Sequence, residues 1–169
     1  MKPFSLSYGL KSIPETSQKI IRRACKAVIL KDNCILLIHT NKGDFKFPGG
    51  GVKSGESSFD CLKRELSEET GYGLNSVGAL VGTVSEKSHD KFEKDKYFCM
   101  ESEYFLAEID ETHQDKQSLD DYEEEQDFKP MFIDINEAIY INQNLLENAL
   151  DINPWVQRET DVLRQILKG

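Results

Sequence analysis

The run FKFPGGGVKSGESSFDCLKRELSEETGY, residues 45–72, constrains the chain more than any other stretch. Three glycines behind Pro48 allow positive φ and a close approach of backbone to a ligand, so they mark a loop rather than a packed element. From Ser57 the pattern turns helical: Phe59, Leu62 and Leu66 recur at i, i+3 and i+7 as one apolar stripe. Ser54 and Ser57 are candidate N-caps, Glu56 suits the positive end of the helix dipole, and Gly71 suits a left-handed stop, which predicts a helix over 57–70. That helix carries Glu65, Glu68 and Glu69 within little more than a turn. Like charges at this spacing repel, by ~0.2–0.5 kcal/mol per pair. On a wheel of 100° per residue the three carboxylates centre roughly 100° from the apolar stripe, so they share a face beside the buried side.

The flanking sequence supplies strands. ACKAVIL (24–30) and CILLIHT (34–40) are strand-like runs joined by KDN, which reads as a hairpin turn. ALVGTVSE (79–86), KYFCMESEYFLAEI (96–109) and PMFIDI (130–135) follow as further strands. Residues 135–150 have helical character, and Asn153-Pro154 reads as the N-cap and first position of a last helix through Leu167. The first twenty residues are polar, carry Pro3 and Pro14, and form an arm or an edge segment. Residues 110–127 hold nine acids against one lysine, which by themselves read as a solvated loop. The order predicts an α+β class with a mixed sheet and helices packed on it, as one domain over 1–169.

A formal net charge of −9 argues against nucleic acid or an anionic membrane as partner. An anionic small molecule would need local lysines, arginines or a metal cation to bind such a chain. No apolar run approaches ~20 residues, and the N-terminus lacks the uninterrupted apolar core of a signal peptide. Cys25, Cys34, Cys61 and Cys99 are irregularly spaced and suggest buried free thiols in a reducing cytoplasm.

Clustered glutamates on one helical face, next to backbone carbonyls of a glycine loop, suit Mg²⁺ or Mn²⁺, which want hard oxygen ligands. The whole run also resembles the signature of the Nudix hydrolases, G-x5-E-x7-R-E-U-x-E-E-x-G-U, where U is apolar. Gly50, Glu56, Arg64, Glu65, Leu66, Glu68, Glu69, Gly71 and Tyr72 fall at the specified positions, Tyr72 as a looser apolar member. FKFPGG resembles the family's approach to the box, and weaker similarity extends over about 22–140, where KPMFIDINEAI resembles the segment closing the sheet.

The resemblance implies a Nudix fold, a mixed sheet between helices (α/β/α). It also implies Mg²⁺- or Mn²⁺-assisted cleavage of a nucleoside diphosphate linked to another group. Carried over by position, Glu68 and Glu69 would be metal ligands with the Gly49 carbonyl. Glu65 would be a further ligand or the base, and Arg64 would hold Glu65 and pair with Glu56. A glutamate from a later loop is expected as ligand or base, and in the 123–125 run Glu124 and Glu125 are preferred. Family members are often dimers, so a homodimer fits.

Substrate signatures are sparse. No proline lies between Pro48 and Pro130, and Tyr97 stands too far past the box to mark a dinucleoside polyphosphate enzyme. Elimination leans to a nucleoside triphosphate, oxidised ones included, with ADP-ribose, nucleotide sugars and dinucleoside polyphosphates as alternatives. A nucleotide-sensing module without catalysis is the reading from another class, and the intact glutamates weigh against it. Lys42, Lys46 and Lys53, with Lys87, Lys91 and Lys94, are candidate phosphate contacts, and Phe45, Phe47, Phe92 and Tyr97 are candidate stacking partners.

Overall fold

Alternation along the central strands divides the apolar residues between two faces, and that division sets the architecture. The computed structural model describes residues 2–93 and 95–169, so Lys94 lies outside the described residues. A mixed five-stranded sheet has the order β1-β7-β8-β2-β6. Its strands are β1 (Phe4–Gly9), β2 (Gln18–Val28), β6 (Gly49–Gly51), β7 (Tyr72–His89) and β8 (Lys96–Gln114). β1 runs parallel to β7 and β2 parallel to β8, while β7 and β8 form a long antiparallel hairpin. A second sheet is built on β4 (Cys34–His39), which pairs antiparallel with β3 (Leu30–Lys31), β5 (Phe45–Lys46) and β9 (Lys129–Asp134).

Helix α1 (Ser58–Thr70) covers one face and helices α3 (Ile135–Asn148) and α4 (Val156–Lys168) the other. Cys25, Ala27 and Leu36 pack with Leu62 and Leu66 under α1, whereas their neighbours Val28, Ile35 and Leu37 pack with Val162, Leu163 and Ile166 of α4. The result is the α+β class expected from the element order, with the helix–sheet–helix layering that the resemblance implies. Each fully buried leucine of α1 contributes ~1.5–3 kcal/mol by leaving water.

Local signals fix the ends of α1. Ser57 accepts the Asp60 N–H at 3.0 Å as N-cap. Gly71, at φ 76°, adopts the left-handed stop and donates to the Ser67 carbonyl. Phe59 departs from the predicted stripe and is 44% exposed. Cys61 takes its place, because the glutamates Glu65 and Glu69 turn inward and rotate the buried face toward them.

Four further expectations change. β2 starts six residues before the apolar run because its outer half pairs with β8 rather than packing in a core, while the residues ahead of it form β1, the edge segment expected of them. The acidic 110–127 segment is partly ordered: β8 continues to Gln114, and a one-turn helix α2 (Asp121–Glu125) follows. The strand expected at 79–86 extends at both ends as β7, Tyr72–His89, which places Lys87 within it. Asn153 does not cap the last helix. Its side chain is buried and donates to Asp44 at 2.8 Å and Gln126 at 2.8 Å, and α4 begins without a side-chain cap.

Two buried polar side chains tie the helices to strand edges. Asn142 of α3 accepts the Phe45 N–H at 2.8 Å and donates to the Phe45 carbonyl at 3.0 Å, replacing a missing strand partner. Glu159 of α4 accepts the Phe47 N–H at 2.9 Å. Asn142→Leu is expected to lower unfolding free energy by about 3 kcal/mol, since it leaves two buried backbone groups unpaired. The check is urea denaturation, read as a lower midpoint at unchanged slope.

Candidate active site

The glycine run forms β6 beside β2, and its backbone approaches places no side chain could share. Gly49 has φ 127°, and a Cβ there would lie 2.1 Å from the Cys25 carbonyl oxygen. A Cβ on Gly50 would fall 2.5 Å from Glu65 Oε1, so the Glu65 carboxylate rests directly on the glycine backbone.

Arg64 organises the acids of α1. Its guanidinium donates to both Glu56 oxygens at 2.8 and 3.0 Å, to Glu65 Oε1 at 2.5 Å, to Glu68 Oε2 at 3.1 Å and to the Gly51 carbonyl at 3.0 Å. The bond to Arg64, with the Lys53 N–H, brings Glu56 down to about 2. Glu65 shifts the other way. Burial raises it against the opposing pull of Arg64, and the Glu69 charge adds to the rise.

Glu69 is 1% exposed. Lys46 Nζ donates to its Oε1 at 2.7 Å and the Gly49 N–H to its Oε2 at 2.7 Å. Burial alone would lower Lys46, but the Glu69 carboxylate outweighs it and holds the ammonium above its ordinary range. Lys26, on β2, has no such partner: burial first and the Lys46 charge second bring it down to about 8. Its ammonium donates to the Gly49 carbonyl at 2.5 Å.

The later acidic segment adds one carboxylate, and it is Glu123 rather than Glu124 or Glu125. Asp120 and Glu123 close a capping box on α2, which turns Glu123 inward and leaves Glu124 and Glu125 exposed. Carboxylate oxygens of Glu65, Glu69 and Glu123 lie within 4.8 Å of one another. Burial also raises Glu123, with the Glu69 charge contributing. Glu68 stands apart, its side chain 38% exposed on Arg64.

Glu65, Glu69 and Glu123 line a cavity of 280 Å³. Lys26 and Lys46 line it too, with Ser102 of β8 and Trp155 and Arg158 at the start of α4. Of the lysines singled out from sequence, Lys46 enters this cavity. Lys53 borders an adjoining cleft with Arg64 and Glu68, and Lys42 pairs with Asp151 at 2.8 Å. Phe45 and Phe47 are buried in the core, Phe92 is exposed, and Tyr97 stacks near His89 with centroids 4.9 Å apart. Lys26 had one legible signal, a lysine inside the apolar run ACKAVIL. Ser102 and Arg158 had none, because distant elements bring them to the cavity.

The residues fit a divalent cation. Three carboxylates converge, Glu65 and Glu69 each holding one cationic partner at 2.5 and 2.7 Å, and together they keep free oxygen lone pairs for an ion. Glu65, Glu69 and Glu123 would hold the ion, joined by the Gly49 carbonyl. A carboxylate has about four lone-pair sites, so Glu69 can ligate while keeping its bonds to Lys46 and Gly49.

The same burial revises what the helix tolerates. Glu69→Gln preserves the side chain's shape, yet it strands the Lys46 ammonium in the interior. It should lower metal-free stability by about 3–5 kcal/mol, whereas Glu68→Gln should stay within about 0.5 kcal/mol. Chemical denaturation in chelator compares the two. Mg²⁺ or Mn²⁺ should raise the melting temperature of the unsubstituted protein, and an unchanged melt would remove the metal site.

The NUDIX domain family profile matches residues 21–157. Over 71 residues the chain is 41% identical to the ADP-ribose pyrophosphatase of Methanocaldococcus jannaschii, a match covering 40% of this chain and 41% of that protein. Among solved structures, the fold is similar to a MutT NUDIX hydrolase from Burkholderia pseudomallei, with TM-score 0.56 and 19% identity over 87% of this chain and 98% of that one. It is also similar to a NUDIX hydrolase from Nitrosomonas europaea, with TM-score 0.57 and 18% identity over 89% and 90%. With four fifths of its length inside the family profile, and the glutamate helix and glycine loop assembled as described, the chain belongs to the NUDIX domain family.

Proposed function

We propose that the protein hydrolyses a pyrophosphate linkage in a nucleoside diphosphate joined to a second group, with Mg²⁺ or Mn²⁺ as cofactor. The observation that carries this reading is the mixed-charge cavity. Glu65, Glu69 and Glu123 converge in it, Lys46 lies at 2.7 Å from Glu69, and Lys26 and Arg158 line it as well. When bound, the cation supplies charge neutralisation on the pyrophosphate oxygens and lowers the pKa of water.

The chain's own residues account for the rest. Glu65 is the candidate base: burial raises it toward a proton-accepting range, and Arg64 at 2.5 Å fixes its orientation against Gly50. Glu123 is the alternative base, with one oxygen taken by the Asp120 N–H at 3.0 Å. Arg64 holds Glu56, Glu65 and Glu68 in one array, so its charge positions the acids rather than meeting substrate. Lys46 and Lys26 place positive charge where an anionic substrate would otherwise meet only acids.

Two substrates stand first. A nucleoside triphosphate is favoured by elimination among subfamily signatures and by a cavity at the small end of the ~300–1,000 Å³ range for ligand sites. ADP-ribose is favoured by the relative that bears the name ADP-ribose pyrophosphatase. A panel of triphosphates, ADP-ribose, nucleotide sugars and dinucleoside polyphosphates, assayed with Mg²⁺ and Mn²⁺ by product chromatography, decides between them. Glu65→Gln should reduce turnover of the best substrate by ~10²–10⁴-fold, and Gly50→Ala should reduce it by displacing the same carboxylate. Undiminished turnover in Glu65→Gln would reject Glu65 as base, and no turnover of any panel member would reject the reading.

A further inference from the structure

Away from the glutamates, the cavity has a floor and a rim that the metal chemistry does not use. The floor is formed by the neighbouring residues Ala24 of β2 and Ser102 of β8, which lie opposite each other in the parallel register, with Met100 further out on the same face. Both floor residues are small, which is what leaves room above the sheet. Ser102 is 1% exposed, and among the described residues its Oγ is the buried side-chain atom left without a hydrogen-bond partner. A buried hydroxyl without a partner is costly, and this one lines the cavity.

Lys26 and Arg158, which share the cavity with that floor, keep donors to spare. Lys26 has three N–H groups and uses one on the Gly49 carbonyl, leaving two. Arg158 has five and uses three, two on Glu159 and one on Glu86, leaving two. Glu159 brings no acceptor to the cavity: it is 0% exposed, and its oxygens receive Arg158, Tyr104 and the Phe47 N–H. At the rim stand Trp155 and Tyr122, aromatic rings 6.5 Å apart at 71°. Trp155 is fixed by its indole N–H, which donates to the buried Asp44 at 2.8 Å.

Resting on the nucleotide reading above, we propose that this compartment holds the nucleobase over Ser102 and that Lys26 and Arg158 select a base presenting carbonyl acceptors over one presenting an exocyclic amine. A planar ring matches an aromatic rim above a flat, small-residue floor. Lysine and arginine can only donate, so a keto edge such as that of hypoxanthine, guanine or uracil satisfies them. The amino group at position 6 of adenine turns a donor toward donors, leaving both sides unpaired. The Ser102 hydroxyl donates or accepts as required and serves either base.

Hypoxanthine and adenine differ at that edge, so inosine and adenosine nucleotides form the matched pair. Trp155 is the sole tryptophan of the chain, and its fluorescence reports binding without turnover. IMP and AMP titrated into the full chain in Mg²⁺ should both quench it, with IMP binding about tenfold more tightly or better, the discrimination of one well-formed pair of base contacts. Lys26→Met, which keeps the stem's bulk, should weaken IMP about tenfold more than it weakens AMP and so collapse the preference. Ser102→Val, which raises the floor, should weaken both.

Equal affinities, tighter AMP binding, no quenching at millimolar concentration, or a preference intact in folded Lys26→Met would each overturn the proposal. The same pair as ITP and ATP, and as inosine and adenosine diphosphate ribose, should show the ratio in kcat/KM. If neither these nor any other member of the substrate panel is cleaved, the hydrolase reading fails while the IMP and AMP titration still judges the base assignment.

Discussion

Lys46 and Glu69 form an ion pair at 2.7 Å with side chains 6% and 1% exposed, and the geometry of the cavity depends on it. Two charges taken this far from water lose several kcal/mol of hydration each, so both must be compensated locally. Glu69 has the Lys46 ammonium on one oxygen and the Gly49 N–H on the other. Lys46 has Glu69 and the face of Phe128, 4.4 Å from its ammonium. The pair therefore joins β5, the glycine strand β6, the last turn of α1 and the segment before β9. Moving any of these four would leave a buried charge alone. Glu65, one turn earlier on α1, inherits its place from this junction and lands on the backbone of Gly50.

A second buried acid plays the corresponding part on the opposite layer. Burial would raise Glu159, but Arg158 and Lys26 outweigh it and hold the carboxylate below its ordinary range. It accepts the Phe47 N–H at 2.9 Å, two residues before Gly49. Thus the loop leading to the glycines is gripped from α1 through Gly49 and from α4 through Phe47. Arg158 continues outward to Glu86 at 2.6 Å, and Tyr8 of the edge strand β1 donates to Asp161 at 2.8 Å. The N-terminal strand thereby fastens to β7 and α4 together, which makes it part of the layer that shapes the cavity floor.

What could be seen in the sequence was local in origin. The helix 57–70, its Ser57 cap and its Gly71 stop follow from neighbours within one turn, and the structure places α1 at Ser58–Thr70. The Arg64 bonds to Glu56 and Glu65 lie on the same helix and its lead-in loop, and spacing brings them together. The choice among Glu123, Glu124 and Glu125 was not legible as a count of charges. It depends on which residue stands third after the Asp120 cap, and the capping box that settles this was hidden inside an acidic run. Asn153 misled because asparagine before proline is also a good cap, whereas here its amide serves the buried Asp44. Lys26, Ser102 and Arg158 come from three separate elements, so only the parallel register of β2 on β8 and the seating of α4 unite them.

An acidic chain handles an anionic ligand by segregating charge rather than by balancing it overall. The net charge is −9, yet the sheet and α4 sides of the cavity carry Lys26 and Arg158 with a serine hydroxyl between strands. The acids gather on α1 and α2, where Arg64 ties three of them and leaves Glu65, Glu69 and Glu123 close enough to share a cation. The repulsion among glutamates of α1, its lead-in loop and α2 is thus divided between two fates. Glu56 and Glu68 are relieved by Arg64 at the surface, while Glu65 and Glu123 keep raised proton affinity in the interior. Protons and a divalent cation would compete for that interior charge, so the feature that would weaken the helix without metal is the one that fits this wall of the cavity to the proposed cation.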